Sequence, residues 1–321
     1  MSSALLADIG GTNARFALHA PGLPGAVTEL QVAAHATAED AVAAALATLA
    51  PSGAPSGAPS GAPPDTAVIA IAAPVSGEAP VRLTNAPWVL DPAALRARFG
   101  FRRVRLVNDF EALAWALPHL GPGEAVRVGG GAPLAGAPLL VMGPGTGLGV
   151  ALLVPGVGAV PTEGGHADLP ATTAREDAVV AHLRARLGRV SAEHVLSGPG
   201  LVNLHEAVVA LAGAPPAGLD PAGVVQAALG GADPLAADTL ELFWGWLGTV
   251  AGNLALGAGA RGGVFLAGGI PPRLVDRMDL GVLRHRFEAK APMDGWMRAV
   301  PLHVVTHPRP AFLGLAALAA A

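Results

Sequence analysis

The chain has 321 residues, no cysteine and a formal net charge of −4. That length exceeds what one hydrophobic core usually organises, so two lobes with a cleft between them are expected. The charge balance leaves no basic stripe to neutralise a phosphate backbone, so nucleic acid is not an expected partner. Without cysteine there is neither a disulfide nor a thiolate metal site. The N-terminus shows no basic region followed by an apolar run, so a cytoplasmic protein is expected.

Of the twenty basic residues only Lys290 is a lysine. A Walker A loop needs a lysine after its last glycine, and a protein kinase needs one on its third strand, so both of those routes to phosphoryl transfer are closed.

Residues 5–9 form a short apolar run, then come Gly10-Gly11-Thr12-Asn13 and the alternating Arg15, Phe16, Ala17 and Leu18. This pattern predicts a β-hairpin with a glycine turn. Residues 38–49 are alanine-rich and open on Glu39 and Asp40, acidic residues that suit a helix N-terminus. The tetrapeptide Ser-Gly-Ala-Pro then runs three times over residues 52–63. It has nothing to bury and reads as a flexible surface insertion without function. A buried strand is expected at 68–72 and a helix at 91–99, with Asp91 as N-cap and Pro92 in its first turn. A strand at 104–107 leads into Asn108-Asp109, and a helix resumes at 110–117 up to Pro118. Alternating strands and helices indicate an α/β sheet.

The first lobe is expected to comprise residues 1–118 with 309–321, and the second 119–308. Residues 129–162 carry no charge, yet Pro133, Pro138, Pro144, Pro155 and Pro161 forbid an unbroken helix of about 20 residues, so two buried strands around 139–154 are expected instead of a membrane span. Helices follow at 175–187, 201–211 and 239–256. The uncharged stretch 242–260, with Trp244, Thr249 and Asn253 among its glycines, reads as a buried core helix. A strand at 264–267 and a final helix at 311–320 complete the chain. A lone helix of that length is marginal in water, so it is expected to pack back on the first lobe.

Four glycine-containing turns follow buried strands. In Asp8-Ile9-Gly10-Gly11-Thr12-Asn13 the glycines let backbone N–H groups approach an anion, and Asp8 could hold Mg²⁺ through water. Gly143-Pro144-Gly145-Thr146-Gly147-Leu148-Gly149 can cradle phosphate oxygens without lysine. Leu266-Ala267-Gly268-Gly269-Ile270 leaves a flat slot suited to an adenine ring, and Ser197-Gly198-Pro199-Gly200 opens a helix. Each taken alone is also an ordinary turn, and neither phosphate-type turn keeps the glycine register of a dinucleotide fingerprint. Asp109, at a strand end before a helix, is either a general base for an alcohol or a helix cap. Glu163-Gly164-Gly165-His166 places an acid and an imidazole on a glycine loop suited to vicinal hydroxyls; His166 could equally be a satisfied core histidine. Glu193 is a second candidate carboxylate or a solvated helix end. No zinc-protease motif or serine nucleophile elbow is present.

These segments together resemble the bacterial glucokinases that lack a zinc motif, within the sugar kinase, Hsp70 and actin superfamily. The resemblance spans nearly the whole chain. It rests on Ala7-Asp8-Ile9-Gly10-Gly11-Thr12-Asn13-Ala14-Arg15, Val107-Asn108-Asp109-Phe110, the Gly143–Ala151 segment, Glu163-Gly164-Gly165-His166, Glu193 to Asn203, and Ala267-Gly268-Gly269-Ile270. It implies a two-lobed, ribonuclease H-like α/β fold and phosphorylation of glucose by Mg²⁺-ATP. It further implies Asp109 as the base for the 6-hydroxyl, and Asn108, Glu163, His166 and Glu193 on the other hydroxyls, with Asn85 of Thr84-Asn85 lining the sugar pocket. The loop Ala7, Asp8, Ile9, Gly10, Gly11, Thr12 and Asn13 would meet ATP phosphates, with Gly145, Thr146 and Gly147 as the second phosphate loop, and Gly268 and Gly269 beside the nucleotide. Closure of the lobes would exclude water, and homodimers are implied. The Ser-Gly-Ala-Pro insertion departs from the family pattern, between a helix and a strand and away from the site. The alternatives are a broader hexose kinase and a non-catalytic sugar or nucleotide sensor.

Overall fold

The computed structural model describes residues 3–19, 25–49, 64–84, 86–231 and 233–321. The Ser-Gly-Ala-Pro repeat and Asn85 lie outside them. The chain divides into two compact units, one running to Leu120 and rejoined by Pro308–Ala321, the other Gly121–His307.

The first unit is built on strands β1 (Ala4–Ile9), β2 (Asn13–His19) and β3 (Val27–Gln31), helix α1 (Ala38–Leu49), strand β4 (Thr66–Ile71), the short pair β5 (Val81–Arg82) and β6 (Val89–Leu90), helix α2 (Pro92–Phe99), strand β7 (Arg103–Asn108) and helix α3 (Asp109–Ala116). Its sheet has the order β3-β2-β1-β4-β7. β1, β2 and β3 form an antiparallel meander, whereas β4 and β7 run parallel to β1. A sheet buried on both faces needs apolar side chains at successive positions, each pointing the opposite way. In β1, Leu5, Ala7 and Ile9 enter one core while Ala4 and Leu6 enter another; in β4, Ala67, Ile69 and Ile71 alternate in the same way with Val68 and Ala70. Helix α2 starts where the sequence predicts, because Asp91 accepts the N–H groups of Ala93 and Ala94 with Pro92 behind it, and it stops at Gly100 in the left-handed region.

The second unit runs β8 (Ala125–Gly129), β9 (Leu139–Pro144), β10 (Leu148–Val154), β11 (Gly158–Thr162), α4 (Ala174–Leu187), α5 (Gly198–Leu211), α6 (Pro221–Leu229), α7 (Pro234–Ala258), β12 (Gly263–Leu266), α8 (Pro271–Leu274), α9 (Leu280–Glu288), α10 (Asp294–Ala299) and β13 (Leu302–Val305). The sheet order is β11-β10-β9-β12-β13-β8. Its first five strands repeat the plan of the first unit, an antiparallel meander followed by two parallel strands. Helix α7 starts five residues before the apolar run suggests, because Asp233 caps it and Pro234 opens it. Phe243, Trp244, Trp246 and Leu247 of α7 are fully buried, and the two indole N–H groups donate to the carbonyls of Asp279 and Pro170. Among the described residues no helix is long and apolar enough to cross a membrane.

The last helix, α11 (Pro310–Ala320), returns to the first unit and packs along α3. Contact is backbone to backbone at Gly314, where a Cβ would stand 1.9 Å from the carbonyl oxygen of Ala112. Only glycine fits there.

Candidate active site

In the first unit, Ile9, Ile71 and Asn108 lie side by side across β1, β4 and β7. The residues after them, including Gly10 and Asp109, therefore leave the sheet at its carboxyl edge, where α/β folds gather their ligands. The alternation that sends Ala4 and Leu6 toward α3 and α11 places Asp8 on that same face. Opposite Asp8 in register stands Arg15, its Nη1 3.8 Å from the carboxylate, while its Nε donates to Glu29 at 2.9 Å. Burial raises the pKa of Asp8, Arg15 opposes the rise and Glu29 adds to it.

The loop after β1 is pinned from both sides. Gly10 donates its N–H to the carbonyl of Asn13 at 2.9 Å, Gln31 donates to the Asn13 side chain at 2.7 Å, and Val32 donates to the carbonyl of Thr12 at 2.9 Å. Ala7 and Ile9 are buried in the sheet and anchor the loop, whereas Gly11 and Thr12 stand exposed at its tip.

At the end of β7 the two side chains divide their work. Asn108 is the N-cap of α3, accepting the N–H groups of Phe110 at 2.9 Å and Glu111 at 3.3 Å, and it donates to the carbonyl of Ala73. Asp109 is thus relieved of capping, although its Oδ1 also accepts from Phe110 N–H at 2.9 Å. Burial pushes its carboxyl up to about 6; the Phe110 N–H holds it down, and the negative charge of Asp8 pushes it further up.

In the second unit the turn between β9 and β10 is tied to two others. Gly145 N–H closes the turn on the carbonyl of Gly147, Gly198 N–H donates to Gly145, and Gly269 N–H donates to Pro144, at 2.8, 2.8 and 3.1 Å. This convergence needs missing side chains. A Cβ on Gly143 would lie 2.5 Å from the backbone of Ala267, and one on Gly268, at φ +82°, would lie 2.5 Å from the carbonyl of Pro144. A Cβ at Gly145 or Gly269 would instead meet nothing within 4 Å.

Beside that turn, Glu193 accepts the N–H of Leu148 on Oε2 at 2.8 Å, and its other oxygen lies 3.9 Å from Nδ1 of His166. The far nitrogen of His166 is 3.7 Å from Glu163. An imidazole thus stands between two carboxylates, with side-chain exposures of 70% for Glu163, 55% for His166 and 30% for Glu193. His166 is therefore no core histidine, and Glu193 is no idle helix end. Ser197 locks the segment by donating to the carbonyl of Glu193 at 2.8 Å and capping α5 through Gly200 N–H at 2.9 Å. Gly165 lets the Glu163–His166 loop press on β10, because a Cβ there would sit 2.0 Å from the carbonyl of Leu148.

The model of the family described as Glucokinase matches residues 5–321. The chain belongs to the glucokinase family. It is 44% identical to the glucokinase of Paramagnetospirillum magneticum over 319 residues, covering 98% of this chain and 96% of that one. Among solved structures it resembles a glucokinase from an Antarctic psychrotroph with a TM-score of 0.85 and 33% identity, covering 99% and 98% of the two chains. A ROK family glucokinase from Streptomyces griseus, solved in complex with glucose and AMPPNP, shares the fold with a TM-score of 0.64 at 19% identity, over 98% of each chain. The fold is accordingly the two-lobed α/β architecture of the sugar kinases.

Within this glucokinase-family chain, Asp8, Gly10, Gly11, Thr12, Asn13, Asn108 and Asp109 gather at one strand edge of the first unit. Gly145, Thr146, Gly147, Glu163, His166, Glu193, Gly268 and Gly269 gather in the second. Two participants are not singled out by sequence reading: Glu29 and the backbone N–H of Leu148. Glu29 faces Arg15 across β2 and β3, a register that follows only once the strands are paired. The Ser197 hydroxyl carried a readable signal, a serine before Gly198-Pro199-Gly200 at a helix start.

Proposed function

We propose that this chain transfers the γ-phosphoryl group of ATP to the 6-hydroxyl of D-glucose, giving glucose 6-phosphate and ADP, with Asp109 accepting the hydroxyl proton. The observation that carries this reading is the environment of Asp109: a carboxyl raised to about 6 at a strand's carboxyl end, with Asn108 doing the capping. Such a carboxylate is ionised at neutral pH and more basic than an ordinary aspartate, as a general base requires. Asn108, Glu163, His166 and Glu193 would hydrogen-bond the remaining hydroxyls. A wrong epimer then leaves polar groups unpaired, which discriminates more strongly than shape.

The exposed loop tips at Gly11–Thr12 and Thr146 suit phosphate oxygens without a lysine, and Gly268 and Gly269 leave room beside the nucleotide. The family and the AMPPNP bound in its Streptomyces griseus fold relative support ATP as donor. Among the described residues no three acidic, histidine or cysteine side chains converge to hold a metal by themselves. A half-buried, incompletely neutralised Asp8 suits a Mg²⁺ ligated mainly by phosphate and water, which would neutralise charge on the transferring phosphate. On the family resemblance we take the working form to be a cytoplasmic homodimer, with its mass in solution as the check.

The test is ADP release with Mg²⁺-ATP across glucose, mannose, fructose, N-acetylglucosamine and no sugar, beside Asp109→Asn. Glucose-dependent release that falls on the order of 10³-fold in the variant, with glucose binding retained, is expected. Release independent of sugar would turn the reading toward a nucleotide switch, and near-normal turnover by the variant would remove Asp109 as base.

A further inference from the structure

A pocket of about 340 Å³ lies wholly within the second unit, between the start of α4, the middle of α7 and the end of α9. It is lined by Thr172, Thr173, Thr249, His285, Arg286 and Lys290. None of these residues belongs to the site described above. The volume falls in the range of small-molecule sites.

The charges in this pocket do not balance. Glu176 is fully buried and is satisfied on both oxygens: Arg286 donates to one, and the backbone N–H and hydroxyl of Thr172 donate to the other at 2.7 and 2.9 Å. Arg286 also donates to Thr172 at 2.9 Å and through Nε to Thr249 at 3.0 Å. The buried carboxylate and the guanidinium therefore neutralise each other. Lys290 is then surplus. Its stem lies against the backbone of α7, where a Cβ on Gly252 would come within 2.7 Å of Lys290 Cε. Asp294, the nearest acid on α10, accepts from the backbone N–H of Lys290 at 2.8 Å. Among the described residues no carboxylate comes within 4.0 Å of the ammonium group.

Burial and then the neighbouring Arg286 pull the Lys290 amine down to about 8, with Glu176 alone pulling it back. A half-buried cation beside a second cation is costly unless an anion joins them. The donors without a partner among the described residues are Lys290 Nζ and Arg286 Nη1, and the Thr173 hydroxyl accepts from Glu176 N–H at 3.2 Å while keeping its own hydrogen. The pocket is rich in donors and poor in acceptors. A phosphate group offers the opposite, several acceptor oxygens and a compact double charge.

We propose that this pocket is a binding site for a phosphate group, free or carried on a small metabolite, with Lys290 and Arg286 as its cationic walls. The proposal is independent of the kinase reading, since it uses none of the residues assigned to sugar or nucleotide.

Lys290 is the only lysine in the chain, so its amine can be followed alone by an acylating reagent and peptide mass spectrometry. Inorganic phosphate and glycerol 3-phosphate, each against chloride at equal ionic strength, are the probes. Labelling of Lys290 should slow at least about threefold with bound phosphate, because an anion favours the charged, unreactive amine. The melting temperature should rise with probe concentration by mass action, and the rise should vanish in Lys290→Gln while persisting in Lys290→Arg. Protection by both probes identifies free phosphate as sufficient; protection by the ester alone identifies a phosphorylated metabolite. Labelling unchanged by either probe, or a phosphate-dependent rise of equal size in Lys290→Gln, would overturn the proposal.

Discussion

Each unit contains a hairpin of the same plan, β1–β2 in the first and β9–β10 in the second, and they use it oppositely. In the first, the second cross-strand pair from the turn is Asp8 and Arg15; in the second it is Gly143 and Gly149. One hairpin therefore carries charge to the strand edge, and buries it deeply enough to raise both Asp8 and the nearby Asp109. The other gives up side chains altogether so that the backbone at Ala267 and Gly268 can come against it. The same strand plan thus supplies a poised carboxylate in one copy and a close-fitting surface in the other. On the proposed reading the proton transfer falls to the first unit, while the second contributes shape and exposed polar groups.

The largest effect that would sharpen this contrast is at Asp109, where activity and stability should move in opposite directions. Its folded pKa, about 6, lies above the ordinary value of 3.8. Its contribution to stability is thus present below pH 3.8 and lost as pH rises through about 6. Asp109→Asn should abolish turnover yet melt higher than the parent at pH 8, with the gain disappearing near pH 4. A variant that melts lower at pH 8 would break the account of burial.

Next comes Gly143→Ala, whose Cβ meets backbone atoms that cannot rotate away; a loss of about 1–3 kcal/mol in denaturant unfolding is expected. Gly145→Ala, two residues on, has open space and should unfold like the parent. Equal losses at both positions would show that the close approach at Gly143 is not what requires glycine. Glu193→Ala leaves the Leu148 N–H without its acceptor, a deficit of about 1–3 kcal/mol if water does not replace it. Because Glu193 joins the sugar-type cluster to the turn, the KM values for glucose and for ATP should both rise; a rise in one alone would separate the two roles.

The smallest effect concerns the acid limb of the pH profile. With Asp109 as base, kcat/KM should fall as pH drops through about 6. Since the charge of Asp8 helps raise Asp109, Asp8→Asn should move that limb to lower pH by a fraction of a unit, whatever it does to the maximum rate.

What the sequence discloses follows the range of the interaction. The cap at Asp91, the β1–β2 hairpin, the paired strands β9 and β10 and the glycine turns need only neighbours a few residues away, and each could be read directly. The start of α7 was also written locally, in Asp233-Pro234, but the stronger apolar run after Thr239 masks it. Asp109 shows where local reading stops, since nothing local says that Asn108 is the N-cap of α3. The bond from Leu148 to Glu193 spans 45 residues, and the contact of Gly143 with Ala267 spans far more. Neither glycine nor glutamate carries a mark of such a partner. The family resemblance brought those residues together before geometry did, yet it names roles and not contacts, so the link from Glu193 to the Leu148 N–H came from the structure alone.

Gly314 on α11, pressed against Ala112 of α3, has a consequence for how the molecule is made. The ribosome delivers the chain from its N-terminus, so the residues of the Gly121–His307 unit are made before α11. Helix α3, which begins at Asp109, must wait until α11, from Pro310 on, has been made before its outer face is covered. The carboxylate proposed as base therefore belongs to a unit whose segments are made on both sides of the other, and a chain truncated before Pro310 would hold every residue of the second unit but lack the helix that covers α3.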